Sequence, residues 1–480
     1  MVFSSLSFIF CLLPLFLVLD FFCFDRVKWR NLSLIIISLL FYTWGEKNYV
    51  ILLLAMAFFN YIFGNIIFKI SNKNNKLEIT PGGYSKLTLI ATVSCISVNL
   101  LCLCFYKYLF FIVSNISLLF PGINLSVHPK HLPLGISFFT FHAISYITDI
   151  YKGVIKEKPK ALTFFSYFFM FPHLVAGPIV RYADLYNDIE CRKKDNDLFC
   201  YGVGRFLLGL NKKILIANTM ASVADLVFSL SPEVRSFSDV WLGAIAYSLQ
   251  IYFDFSGYSD MAIGLAAMAG IRIKENFNAP YLSCSIKEFW RRWHISLSSW
   301  FRDYVYIPLG GSRCSKVKIY RNLLAVFILC GFWHGAQWTF LIWGLIHGSL
   351  LILERLFLDR VLQKLPKIIS RLYCLVALIV AWVVFRSDSL PNAWTYIQQM
   401  FLLSNVDGLF SVNITMKGMI YFVMLLGIFI SLNPLKIFSG GTPFNKEYSN
   451  LNFVLQFGLA IVSVLVLYLG ARNPFIYFNF

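Results

Sequence analysis

The chain has 480 residues, 58% of them hydrophobic and only 14% charged, with a mean hydropathy of +0.68. Soluble domains run at about 45–50% apolar and about 25% charged, so an ordinary soluble fold is excluded and an all-α, multi-pass membrane protein is predicted. Lys and Arg outnumber Asp and Glu by 42 to 24, for a net charge of +18; in so apolar a chain this excess fits cytoplasmic loops facing anionic membrane lipid, and nucleic acid is not expected as a partner.

Apolar segments recur at about 5–22, 32–45, 49–68, 87–120, 133–150, 161–180, 199–231, 240–270, 322–352, 368–385, 416–432 and 451–471, which predicts about ten to twelve spans. The first lacks a basic leader region and a small-residue cleavage site, and is expected to be a retained span. Basic clusters follow at Arg26-Lys28-Arg30, Lys69-Lys73-Lys76, Lys152-Lys156-Lys158-Lys160 and Arg192-Lys193-Lys194. They cannot all be cytoplasmic if every intervening segment crosses once, so some segments must be broken or re-entrant. The best candidate is 161–180, where Pro172 and the Gly177-Pro178 pair interrupt helix; a re-entrant loop and a kinked span both fit. No repeat or long linker divides the chain. One domain over 1–480 is expected, with its motifs at about 170–350 and scaffold spans at about 368–471.

Further along, Tyr252 to Asp260 sets Asp254 and Asp260 in an apolar run, a costly arrangement that calls for basic partners, a histidine to orient or a substrate with hydroxyls. The stretch from Ser285 to Asp303 is the most charged and aromatic in the chain. Its Lys287, Arg291 and Arg302 fall near one helical face, with Trp290, Trp293, Leu297 and Trp300 on another, which predicts a single interfacial helix. Guanidinium forks match phosphate, so Arg291, Arg292 and Arg302 are candidates either for an acyl carrier's phosphates or for lipid headgroups. His294 lies inside this stretch, and an anchor helix has no need of a group that titrates near neutrality.

From Asn322 to Leu353 there is no Lys, Arg, Asp or Glu, so this run is expected to cross the membrane as helix with His334 in its middle, beside Trp333. Gly331 with Gly335, and Gly344 with Gly348, make two GxxxG patterns that allow close helix approach. His347 follows thirteen residues later, roughly 220° round one continuous helix, so the two imidazoles should face apart. Of the two, His334 is the stronger chemical candidate, because ionisable groups at membrane depth mark functional sites. The remaining histidines, His128, His131, His142 and His173, default to packing or solvated roles. Eleven cysteines lack paired spacing, and no metal, P-loop, dinucleotide or nucleophilic-serine motif is present, so neither a metal nor a tightly bound cofactor is expected.

Six stretches together resemble the membrane-bound O-acyltransferase family, and within it the bacterial alginate O-acetyltransferase branch. They are Phe171 to Arg181, Tyr252 to Gly264, Asn276-Phe-Asn-Ala-Pro-Tyr281, Glu288 to Asp303, Tyr306 to Gly311 and Gly331-Phe-Trp-His-Gly-Ala336. The resemblance implies a many-helix bundle with re-entrant and interfacial helices around a central cavity, sitting in the bacterial cytoplasmic (inner) membrane. It implies that His334 is the family's essential histidine and His294 its second characteristic one. It further implies a cytoplasmic acyl donor, acetyl-CoA being expected, and an acceptor outside: an exopolysaccharide or a partner acetyl carrier, with peptidoglycan O-acetylation or D-alanyl transfer to teichoic acid as alternatives. Acetyl transfer to a hydroxyl needs a base near neutral pH, which an imidazole supplies. It also needs a donor for the carbonyl oxygen, for which Trp333, Trp338, His294 and the backbone are all candidates. A proton-coupled transporter using intramembrane His and Asp is the reading from another class, against which the lack of inverted repeats counts.

Overall fold

A computed structural model describes residues 2–23, 26–75, 86–120, 127–402, 417–432 and 450–476. Lys76 of the second basic cluster and part of the scaffold predicted at 368–471 lie outside the described residues. Every regular element among the described residues is helical. Four helices are long and apolar enough to cross a membrane, at 27–72, 86–119, 338–364 and 367–386, with shorter apolar helices at 8–22, 418–432 and 453–468. The chain packs as two compact units, Met1–Val203 with Ala262–Lys274, and Gly204–Met261 with Glu275–Phe480.

In the first unit the predicted interruption at 161–180 is present. Helix Ala161–Phe169 stops at Met170, one short turn follows at Phe171–Leu174, and 175–181 is irregular. Pro172 sits in the first turn, where its missing N–H costs no helix bond. Non-helical backbone at this depth must be surrounded by protein, and it is: residues 171–180 are buried, Phe171 N–H donates to Ser38 Oγ at 3.0 Å, and Tyr167 hydroxyl donates to Val180 O at 3.0 Å. Phe171 also joins Phe3, Phe8, Phe16 and Phe41 in one aromatic cluster. Two of the basic residues predicted for cytoplasmic loops are interior here. Arg30 and Arg192 both bind Asp20, at 2.7 and 2.6 Å, since a buried guanidinium needs a carboxylate beside it.

In the second unit the run from Asn322 to Leu353 is not one helix. Helix Lys316–His334 ends, the chain bends through 335–337 with Gly335 and Gln337 extended, and helix Trp338–Leu353 returns against it. The two GxxxG patterns close this hairpin on itself. A Cβ at Gly331 would lie 2.2 Å from Phe340 O, and one at Gly344 would lie 2.2 Å from Phe327 O. Backbone touches backbone where any side chain would intrude.

Candidate active site: two histidines at helix breaks

His334 is the last residue of its helix rather than the middle of a span. Its ring lies in an aromatic box, with centroids 4.9 Å from Trp333, 5.1 Å from Trp343 and 5.2 Å from Phe385. The break also removes the helical phase that separated the two histidines. His347 packs on the same Trp343 at 4.7 Å, so the two imidazoles share one indole, and Trp290 Nε1–H donates to His347 Nδ1 at 3.2 Å. His347 is thereby tied into the packing.

The single interfacial helix expected over 285–303 is two short helices, Ile286–Arg292 and Ile295–Phe301, with His294 at the junction. Ser285 caps the first by accepting from Glu288 N–H, and Glu354 accepts from the N–H groups of Ile286 and Lys287, a carboxylate placed where the helix dipole favours it. Trp290, Trp293 and Trp300 are buried, so this segment is packed in the protein interior and not laid on headgroups by its tryptophans.

His294 holds φ +43° and ψ +54°, a left-handed conformation that few non-glycine residues adopt, and Ala279 holds φ +43° and ψ +62°. Such residues cost about 1–3 kcal/mol each and persist only where the surroundings fix them. What fixes them is the segment from Asn276 to Ala279 laid against Arg292 to Ser296. Asn278 N–H donates to Arg292 O at 2.9 Å and Ile295 N–H donates to Asn276 O at 2.9 Å. The Oδ1 of Asn276 accepts from Ser296 N–H at 3.1 Å and from Ser296 hydroxyl at 2.8 Å, while its Nδ2 donates to Ser259 at 3.1 Å. An oxygen with these partners can only accept, so His294 Nδ1, 3.2 Å away, carries the proton. Nε2 then keeps its lone pair, and it is buried without a hydrogen-bond partner among the described residues. That is the tautomer of a proton acceptor.

Trp333 stands between the two imidazoles, 6.2 Å from His294 and 4.9 Å from His334 by ring centroids. Phe255 closes the far side of His294 at 4.6 Å. The structure therefore brings His294, Trp333 and His334 together. The other candidates fall elsewhere. Asp260 binds Arg205 at 2.6 Å and Lys212 at 2.7 Å; Asp254 binds Lys213 at 2.6 Å and accepts from Ile476 N–H at 2.8 Å. Both oxygens of each carboxylate are engaged, so of the three roles open to these residues the structure takes pairing with a cation. Arg205 reaches Glu275 as well, at 2.6 Å; burial pushes that loop carboxyl up against the pull of the guanidinium. Arg292 is occupied by Glu288 at 2.9 Å and Arg302 by Asp303 at 2.6 Å, while Arg291 is exposed. None of the three touches the histidine pair.

Asn276 is the residue to which the sequence reading gave no role. Its signal was present as the first residue of a quoted stretch, but pairing across eighteen positions is invisible without coordinates. Trp382 and Phe385 were likewise assigned to scaffold, yet Phe385 walls His334 and Trp382 packs on Trp343 at 5.9 Å.

A box of aromatic side chains around buried imidazoles, one of fixed tautomer, suits proton transfer away from water, and the sequence comparison supplies the class of reaction. Residues 151–390 match the model of MBOAT, the membrane-bound O-acyltransferase family, and the chain belongs to that family. Among curated relatives it is 42% identical over 84% of its length, and 78% of the relative's, to the "Probable alginate O-acetylase" of Azotobacter vinelandii. It is 42% identical to the protein of the same name from Pseudomonas aeruginosa, over 84% of this chain and 75% of that one. It is 34% identical to the "Peptidoglycan O-acetyltransferase" of Helicobacter pylori, over 85% of this chain and 81% of that one. The chain is thus a membrane-bound O-acyltransferase, and the transporter reading is removed.

Proposed function

We propose that this protein moves an acetyl group from a cytoplasmic thioester, acetyl-CoA, to hydroxyls of an extracytoplasmic polysaccharide, directly or by way of a partner acetyl carrier, in the cytoplasmic (inner) membrane of a bacterium. The observation that carries this reading is the pair of buried imidazoles sharing Trp333, with Asn276 fixing the tautomer of one. His334 is the base. It takes the proton of the acceptor hydroxyl as the oxygen attacks the thioester carbonyl; the C–S bond then breaks and the proton passes to the leaving thiolate. His294 assists as the proton relay, its lone pair at Nε2 held in place by Asn276. An N–H from Trp333 is the candidate donor to the carbonyl oxygen; Trp338, the other indole considered, is 53% exposed and unsuited to a dry site. Acetyl is favoured over D-alanyl by the names of the relatives that align along most of this chain. Peptidoglycan is the second acceptor those names support.

The test is a His334→Ala protein, verified as folded and membrane-inserted, assayed for acetyl on surface glycans by mass spectrometry. Loss of acetylation to a hundredth or less is expected. Unchanged acetylation would overturn the mechanism.

A further inference from the structure

Phe385 faces two ways. One side of it lies 5.2 Å from the His334 ring, and it also lines a cavity of about 150 Å³ together with Phe340, which packs on it at 4.8 Å. The floor of this cavity is therefore the wall of the histidine box. At this size it admits one ring of a longer molecule, since pockets that enclose a whole drug-sized ligand run to roughly 300–1,000 Å³.

Two polar atoms of the lining lack partners among the described residues. Tyr247 hydroxyl and Gln250 Oε1 are both buried without a hydrogen-bond partner among the described residues, and both line the cavity, as does Gln337 from the break beside His334. Buried polar atoms are satisfied in folded proteins, so these atoms await water or a ligand able to donate to an amide oxygen and pair with a phenol. Charge decides which. The one guanidinium at the cavity, Arg386, already donates to Asp225 at 2.8 Å and has Asp388 at 4.0 Å. Two carboxylates to one engaged cation leave no fork for an acidic ligand and set a negative mouth before it.

The remaining wall is the segment Pro474–Ile476, and it is built in. Lys213 donates to Pro474 O, Asp254 accepts from Ile476 N–H at 2.8 Å, and Phe475 stacks on Tyr258 at 4.5 Å. Asp254, one of the two carboxylates the sequence offered to a substrate, pairs instead with buried Lys213, and the two pin this wall.

We propose that this cavity seats an uncharged, hydroxyl-rich sugar ring, recognised by Tyr247, Gln250 and Gln337, and that the pinned segment Pro474–Ile476 sets how large that ring can be. What the ring receives rests on the transfer reading of His334; that it binds does not. Neutral sugars are thereby preferred to uronate chains as the molecule that meets this protein directly.

The experiment measures binding of a neutral glucose tetramer and of a mannuronate tetramer to the purified full-length protein in lipid nanodiscs, by calorimetry at low and at physiological salt. The neutral tetramer is expected to bind at least tenfold more tightly than the uronate at low salt, with the gap narrowing as salt rises. Tyr247→Phe, which removes only a hydroxyl, should weaken the neutral tetramer roughly three- to tenfold, as loss of one hydrogen bond does. Ile476→Trp, which fills the cavity, should abolish its binding. Equal or tighter binding of the uronate, or neutral binding that neither variant changes, overturns the proposal, as does failure of the neutral tetramer to bind. Intact sugar binding by His334→Ala that has lost no acetyl transfer would sink the transfer reading and leave the cavity assignment standing.

Discussion

The molecule buries five histidines among the described residues, and His142 with His173 in the first unit are built differently from His294 with His334 in the second. His142 and His173 touch directly, with ring centroids 4.5 Å apart and planes tilted by 53°, and His173 Nε2–H donates to Tyr167 O at 2.8 Å. Three of their ring nitrogens lack partners among the described residues, so an open nitrogen alone does not distinguish a chemical site. His142 lies within the unbroken helix Ile136–Tyr151, and no side-chain amide holds either ring. His294 and His334 are separated by an indole, sit where helices break, and include one ring whose protonated nitrogen is chosen by Asn276. Backbone strain at His294 and a polar cavity adjoining His334 set the proposed reactive pair apart, whereas a fixed tautomer does not, since the Tyr167 carbonyl fixes that of His173 as well.

The largest effects should fall on one pair only. His334→Ala is expected to lower acetyl transfer by about 10²–10⁴-fold, whereas His142→Ala and His173→Ala should keep transfer per folded molecule within about threefold while lowering stability by roughly 1–3 kcal/mol. Turnover normalised to folded protein in nanodiscs checks both, and a hundredfold loss in His173→Ala would erase the contrast. Next, Asn276→Ala should lower kcat about 10–100-fold with KM little changed, because it frees the His294 ring to rotate and change tautomer. Asn276→Asp, which keeps an acceptor oxygen, should recover part of that loss and move the pH–rate profile, a change that a merely structural role would not produce. Gly344→Ala should act on stability instead: its added methyl meets Phe327 O at 2.2 Å, an overpacking worth about 1–3 kcal/mol, read as a lower thermal midpoint in detergent. The smallest effect is expected from Arg291→Gln, at less than about twofold in kcat and KM, since this side chain is exposed away from the histidine pair. A tenfold rise in KM for the thioester would restore it as a phosphate ligand.

Much of this was legible before coordinates. Hydropathy indicated an all-helical membrane chain, the Pro172 and Gly177-Pro178 pattern marked the break after Phe169, and the paired glycines indicated a close helix approach, because each of these is a local property of the chain; that the two glycine pairs meet each other across a hairpin was not legible. Breaks that no proline or glycine run announces were not legible. His294 bends its helix through contacts with residues 276–278, and His334 ends its own because the following chain must turn back for Gly344 to meet Gly331. Tertiary pairing overrides local periodicity in both cases, and it is also why Arg292, Arg302, Asp254 and Asp260 looked like ligands: a charge in an apolar run announces only that it needs a partner, and here the partners are internal.

The backbone contact between Gly331 and Gly344 has a consequence for turnover. With carbonyl oxygens packed where side chains would otherwise cushion the two helices, neither can slide or rotate past the other without collision, so the main chain bearing His334 is fixed ground. On the proposed chemistry, reactants must then reach the imidazole through swings of the rings around it, Phe385 and Trp333 foremost. Both rings are buried, so such swings wait on their neighbours giving way and are slower than the picosecond-to-nanosecond flips of exposed side chains.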